Sequence, residues 1–215
     1  MYRSILFDLD GTLTNPREGI IGSVRYALVQ EGYDAPPAEE LLWVIGPPLR
    51  NSFGRLTGCS DAGANRLLDR YRERYSPVGL FENTVFPEIP AVLQALVAAG
   101  KSLYLATSKP AVYAKKILQH FQLASYFSGI HGAELDGTRD AKADVIAHVL
   151  ATHALDVGDC VMIGDREHDI IGASTHQMQS IGVLYGFGSE DELRQAGASA
   201  IAPSPRDLLA LLGMS

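Results

Sequence analysis

"SILFDLDGTLT", residues 4–14, sets an apolar run against two aspartates one residue apart, Asp8 and Asp10, and then adds glycine and threonine. Two like charges at the end of a buried segment repel each other and lose hydration, so something must compensate them. A cation is the natural candidate. The apolar run reads as a strand buried on both faces, the kind that parallel sheets require.

Similar runs recur along the chain: "SLYLATS" at 102–108, "CVMIGD" at 160–165 and "SIGVLYG" at 180–186. Between them lie helical patterns, "PAVYAKKILQHF" from Pro110, "KADVIAHVLATHA" from Lys142 and "EHDIIGASTHQ" from Glu167. Strands alternating with amphipathic helices give right-handed crossovers, hence an α/β fold with a doubly wound parallel sheet. The alternation fails after Asn15, where "REGIIGSVRYALVQEG", "AEELLWVI" and "AGANRLLDRYRERY" are helix-like with no convincing strand among them. Residues 1–14 and 84–215 therefore read as an α/β core, and residues 15–83 as an inserted helical subdomain. Its charges separate it too: Lys101, Lys109, Lys115, Lys116 and Lys142 all lie outside it, while eight of the thirteen arginines lie inside. Most of those arginines read as solvated helix faces.

With 215 residues, 47% of them hydrophobic, the chain can bury a full core. A formal charge of -7 offers no basic face for a nucleic-acid polymer. Two cysteines, Cys59 and Cys160, are too few for a disulfide framework and point to a reducing compartment. No apolar run approaches membrane-spanning length, and none resembles a signal before Asp8. A cytoplasmic protein without a membrane or nucleic-acid partner is expected; the oligomeric state stays open.

In an open parallel sheet, ligands sit beyond the carboxyl ends of the strands. That brings together Asp8 and Asp10, Thr107 and Ser108, and Gly164, Asp165 and Asp169, with Lys142 opening a helix and Lys109 just after Thr107. The set suits transfer of a phosphoryl group to water through a protein carboxylate. A phosphate ester repels anionic nucleophiles, so an attacking Asp needs a bridging cation, and hard oxygen donors select Mg²⁺. Asp8, Asp165, Asp169 and the backbone carbonyl of Asp10 are the expected metal ligands. Asp10 is the expected acid and base. Gly11 turns the backbone beside the phosphate, while Thr107, Ser108 and Lys109 precede a helix start whose N–H groups bind phosphate oxygens. His168 reads as a loop residue or as one standing behind the metal-binding acids; His120, His131, His148, His153 and His176, without zinc-type spacing, read as surface or helix residues.

"DLDGT" at 8–12, the strand-ending Thr107, Lys142 and "GDREHD" at 164–169 resemble the four ordered motifs of the haloacid dehalogenase-like hydrolases across the whole chain. The resemblance implies Asp8 as nucleophile, Asp10 as acid/base, Thr107 as phosphate ligand, Lys142 as charge clamp and Asp165 with Asp169 as the distal metal site. It makes 15–83 a helical cap of the phosphoglycolate-phosphatase-like subgroup. "LTNPREGI", "IGPPLRNSF", "GLFENTVFPEI", "ATSKP" and "LDGTRDAKADVI" are similar to a 5′-nucleotidase-like branch beside the phosphoglycolate phosphatases. The expected substrate is a small phosphorylated metabolite: a nucleoside monophosphate, with phosphoglycolate as the alternative. Arg50, Asn15, Glu18 and Tyr75 are the candidates for choosing it, Arg50 first, since a guanidinium suits a carboxylate as well as a nucleotide. The Lys-Pro of "TSKP" leaves Lys109 able to share the role of Lys142.

Asp10 and the acids at 165 and 169 argue against a metal-free dehalogenase, and a lysine-free insertion argues against Schiff-base phosphonate chemistry. A phosphomutase and a phosphorylated switch stay open. Asp10, placed to destroy an acyl phosphate, favours turnover over storage.

Overall fold

The structure is a computed structural model and describes residues 2–214. In chain order its elements are β1 (Ser4–Phe7), β2 (Thr14–Asn15), α1 (Arg17–Gln30), α2 (Leu49–Thr57), α3 (Asp61–Arg74), β3 (Thr84–Val85), α4 (Ile89–Ala98), β4 (Ser102–Pro110), α5 (Ala111–His120) and β5 (Phe127–Ala133). Then follow α6 (Lys142–His153), β6 (Cys160–Gly164), α7 (Glu167–Thr175), β7 (Gln179–Val183), α8 (Glu190–Gln195), β8 (Ala200–Ala202) and α9 (Asp207–Leu211). They divide into two compact units, one holding the chain through Asn15 and again from Val85, the other Pro16–Thr84.

The first unit is built on a six-stranded sheet in the order β5-β4-β1-β6-β7-β8, every neighbour parallel. The doubly wound α/β architecture is thus the one the alternation predicts. β1 runs through its middle, with Phe7 level with Leu105 on β4 and Ile163 on β6. Because side chains alternate along a strand, Leu6, Tyr104, Ala106 and Met162 share one face and bury Val145, Ile146 and Val149 of α6 and Ala173 of α7. Ile5, Phe7, Leu103, Leu105, Val161 and Ile163 fill the other face and are wholly buried. Burial of each such side chain contributes roughly 1.5–3 kcal/mol, which is why β1, four residues long, can anchor the sheet.

In the second unit, α1 turns Ile20, Ile21, Val24, Ala27 and Leu28 inward, a helical spacing. α3 starts on Ser60, whose hydroxyl accepts the Gly63 N–H at 3.4 Å, and runs into a π-helical turn at Tyr75–Gly79. Tyr71 stacks on Tyr75, ring centres 4.9 Å apart, with Phe53 of α2 edge-on to Tyr71. α1 approaches that turn so closely that a Cβ on Gly19 would stand 1.9 Å from the Gly79 carbonyl oxygen.

Several local expectations are corrected or sharpened. "SIGVLYG" ends as a strand at Val183, leaving Tyr185 and Gly186 in the loop beyond. "AEELLWVI", read as helix-like, is helical over Ala38–Val44 in the tighter 3-10 form. The helix expected from Pro110 begins one residue later, because Pro110 still pairs with Ala133.

Candidate active site

The chain builds β4 and β5 on one side of β1 and then β6, β7 and β8 on the other, so the topological switch lies at β1. Crevices open at the carboxyl ends of strands that part in this way. Asp8 continues β1 there, its N–H donating to the Ile163 carbonyl at 2.9 Å.

Lys142, the first residue of α6, reaches into the same place. Its Nζ donates to Asp8 Oδ1 at 2.7 Å and to the Ala106 carbonyl at 2.9 Å, and pairs with Asp169 Oδ1 at 2.7 Å. The stem passes over bare backbone on α7: a Cβ on Gly172 would lie 2.8 Å from Lys142 Cγ. Lys109 serves Asp10 instead, donating to Oδ2. The other oxygen of Asp10, Oδ1, is buried without a hydrogen-bond partner among the described residues. The two lysines that the sequence left in competition therefore hold different aspartates.

Asp165 follows β6, wholly buried. Its Oδ2 accepts the Phe187 N–H at 2.8 Å, and Thr12 Oγ1 lies 3.5 Å from Oδ1. Gly11 passes close by at φ +85°, where a Cβ would stand 2.1 Å from Asp165 Oδ2, so both the turn and the approach require glycine. Asp169 sits in the first turn of α7; its Oδ2 accepts the Arg166 N–H at 3.1 Å. Gly164 leaves room for it, since a Cβ there would be 2.2 Å from Asp169 Cγ.

Thr107 is buried and its hydroxyl accepts the Lys109 N–H at 3.2 Å, a local turn that aims the lysine. Ser108 is partly buried beside it. Among the described residues no side chain caps the α5 N-terminus, the end of a helix where an anion is favoured. Arg50 lies in the helical unit on α2, half exposed, with its guanidinium 3.4 Å from Asp61.

Charge dominates this crevice. Burial raises the pKa of Asp10 against the pull of Lys109, and that of Asp169 against the pull of Lys142. Asp165 is raised furthest, by burial and then by the charges of Asp169 and Asp8. For Lys142, burial works to lower the pKa, but Asp169 and Asp8 outweigh it and the ammonium is held firmly charged. Asp8, Asp165 and Asp169 each offer a carboxylate oxygen, all within 4.8 Å of one another. Four buried aspartates thus face two buried ammonium groups, an excess of two negative charges when all ionise. An all-oxygen, doubly anionic donor set fits a hard divalent cation.

Sequence reading missed the 185–188 segment, "YGFG", which clasps Asp165. A Cβ on Gly186 would stand 2.4 Å from Asp165 Cβ, and one on Gly188 only 1.9 Å from its carbonyl oxygen. The signal in the sequence is two glycines flanking an aromatic after a strand, weak without the fold. His148 and His153 lie on α6 and His120 on α5, as expected of helix residues, but two other histidines differ from expectation. His131 stands on β5, its Nε2 2.9 Å from His153 Nε2, with His148 ring-to-ring at 5.1 Å. His168 lies in the first turn of α7, not in a loop.

Residues 5–183 match the family model described as haloacid dehalogenase-like hydrolase. A 5'-nucleotidase of Pseudomonas aeruginosa is 52% identical over 90% of this chain and 87% of its own. The protein named tyrosine-protein kinase PtkA from Mycobacterium tuberculosis is 36% identical over 92% of this chain and 67% of its own. A Clostridium acetobutylicum protein whose crystal structure is described as that of a predicted phosphatase superposes with a TM-score of 0.96 at 43% identity, over 99% of this chain and 98% of that one. An aspartate pair ending the central strand, its lysine partners and a match over nearly the whole chain lead to one statement: this chain belongs to the haloacid dehalogenase-like hydrolases, as a phosphatase of that family.

Proposed function

We propose that this phosphatase hydrolyses nucleoside 5′-monophosphates in two steps through a phosphorylated Asp8, with Mg²⁺ as its cofactor and the helical unit as the cap that selects the substrate. The observation that carries the chemistry is the division of labour at the end of β1. Lys142 engages Asp8 Oδ1 and leaves Oδ2 without a hydrogen bond among the described residues, while two positions on Asp10 keeps a buried, unpartnered Oδ1. The first is a nucleophile with a free oxygen. The second is an acid whose raised pKa keeps a proton within reach.

In the first step Asp8 Oδ2 attacks phosphorus, the bond to the ester oxygen breaks, and Asp10 gives its proton to the departing alkoxide. In the second, Asp10 takes a proton from water, whose oxygen attacks phosphorus and releases phosphate and the Asp8 carboxylate. Lys142 offsets the charge that builds on the transferring group. The Thr107 hydroxyl and the N–H groups at the start of α5 hold its oxygens. Asp8, Asp165 and Asp169 would hold Mg²⁺, which would neutralise the phosphate oxygens and let an anion approach them. The choice of nucleotides over phosphoglycolate is supported by the 52% identity to a 5'-nucleotidase, and the substrate class follows that relative.

The test is phosphate release from a panel of phosphorylated metabolites, with Mg²⁺ or with chelator, for wild type and Asp8→Asn. Expected is release from nucleoside monophosphates that needs both the metal and Asp8, with the variant down by about 10⁴-fold or more. Selective release from phosphoglycolate would overturn the nucleotide reading, and an active Asp8→Asn would overturn the nucleophile.

A further inference from the structure

Tyr185 carries a buried hydroxyl near this site that the chemistry above does not use. It opens the segment that wraps Asp165, two residues before the Phe187 N–H that bonds Asp165 Oδ2. Its ring is partly buried and packs edge-on against Phe86, centres 5.2 Å apart at 68°. Its hydroxyl, by contrast, is sealed from solvent and has no hydrogen-bond partner. Burial, and then the negative charge of Asp165, push the phenol's pKa up, so the group stays a neutral O–H within the field of that carboxylate. A buried hydroxyl left unpaired is destabilising, and phenylalanine would pack the same space without that loss. The missing partner is not the carboxylate itself, whose oxygens face Phe187 and Thr12. The backbone from Gly186, the residue after this tyrosine, to Gly188 lies against Asp165.

Magnesium keeps several of its waters when proteins bind it, and those waters need hydrogen-bond partners of their own. We propose that Tyr185 is a positioning residue of the cation site, its hydroxyl hydrogen-bonding a water carried by the ion that Asp8, Asp165 and Asp169 hold. The inference rests on the Mg²⁺ reading above. It assigns a task to the "YGFG" segment, whose glycines let the backbone next to Tyr185 lie against Asp165.

Calorimetric titration of the full chain with MgCl₂, without substrate, tests it in wild type, Tyr185→Phe and Asp165→Asn. Tyr185→Phe should bind Mg²⁺ about tenfold more weakly, the usual effect of removing such an outer contact. Its urea midpoint in chelator should equal or exceed that of wild type, because the unpaired hydroxyl is gone. A structural role would instead lower that midpoint and leave the affinity alone, which overturns the proposal. Wild-type affinity in Tyr185→Phe alongside lost binding in Asp165→Asn sinks the tyrosine's role and leaves the cation site standing. Undiminished binding in Asp165→Asn would remove the cation reading itself.

Discussion

Both units of this chain carry ion pairs at the surface, and the α/β unit adds a set that is buried. In the α/β unit, the Lys109 and Lys142 side chains are 6% and 4% exposed and meet aspartates that are nearly as buried. In the helical unit, Arg17, Arg50, Arg66 and Arg70 pair with Glu39, Asp61 and Glu31 at the surface, each guanidinium between 39% and 65% exposed. The buried and the exposed pairs are similar in geometry and differ in meaning. Water screens the arginine pairs and would solvate either partner alone, whereas a buried aspartate that loses its lysine has nothing to replace it. The teaching is that ion pairs count by what surrounds them. A lysine, a compact charge on a thin stem, suits the crevice over Gly172; forked guanidinium groups suit long helix faces.

Lys142→Met should break the core side of this comparison hardest. With Mg²⁺ removed by chelator, it strips the ammonium from between Asp8 and Asp169 and should cost about 3–5 kcal/mol in urea unfolding at neutral pH. The pH dependence has a sign. Asp169 and Asp165 have folded-state pKa values already raised above their unfolded ones, so the penalty for their charge is relieved as pH falls and grows as pH rises. The variant should therefore recover part of its loss on acidification toward pH 5, and adding Mg²⁺ at pH 7 should restore part of it as well. A loss no larger than that of a surface pair would mean that the crevice tolerates its aspartates without Lys142.

A smaller effect comes from the half-buried middle ground. His131 on the edge strand faces His148 and His153 of α6 and lies in the field of Arg139; burial, then those charges, lower its pKa from 6.5 to about 4. Unfolded chains bind this proton near pH 6.5 and the folded chain does not, so stability is lost as pH falls from there toward 4. Discounted for partial exposure, the loss should be about 1 kcal/mol. His131→Gln should remove that component, read as a shallower fall in the urea midpoint between pH 7 and 5 relative to wild type. Equal slopes would show that the trio does not titrate in this window.

The sequence made legible what hydrophobic runs and local spacing encode. β1, β4 and β6 are apolar runs that lead into chemistry-bearing residues, so the order of the runs alone sets Asp8, Thr107 and Asp165 on neighbouring strands, although β4 continues past Thr107 to Pro110 instead of ending on it. β5 was not legible: "FSGIHGA" sits on the sheet edge, where one side is unpaired, and its serine, histidine and two glycines break the apolar pattern. Missing it hid the histidine trio, because His131 and His153 are 22 residues apart and meet only through that strand. β8, three residues of "AIA", is too short for any periodicity to register. At the site, which lysine serves which aspartate depends on where α6 and the Thr107 turn aim their stems, a matter of packing rather than of spacing. Tyr185 escaped notice because it reads as the continuation of an apolar strand that in fact stops at Val183.

The smallest expected effect tests the helical side. Arg70 Nε donates to Glu31 Oε1 at 3.1 Å and its Nη1 to Glu73 Oε1 at 2.6 Å, while Arg66 Nε holds the other Glu31 oxygen at 3.2 Å. Arg70 first, with Arg66 behind it, keeps the Glu31 carboxyl below its usual range. Removing Arg70 leaves Glu31 a second arginine and leaves Glu73 in water, so no charge is stranded. Arg70→Ala should shift the melting temperature by less than about 2 °C, and salt at about 0.5 M should shrink even that difference, because exposed charges are screened. A shift rivalling that of Lys142→Met, and indifferent to salt, would mean that the surface pairs of this unit bear on its stability as the buried pairs do on the core. The contrast between the units would then lie in residue type alone, not in the solvent around it.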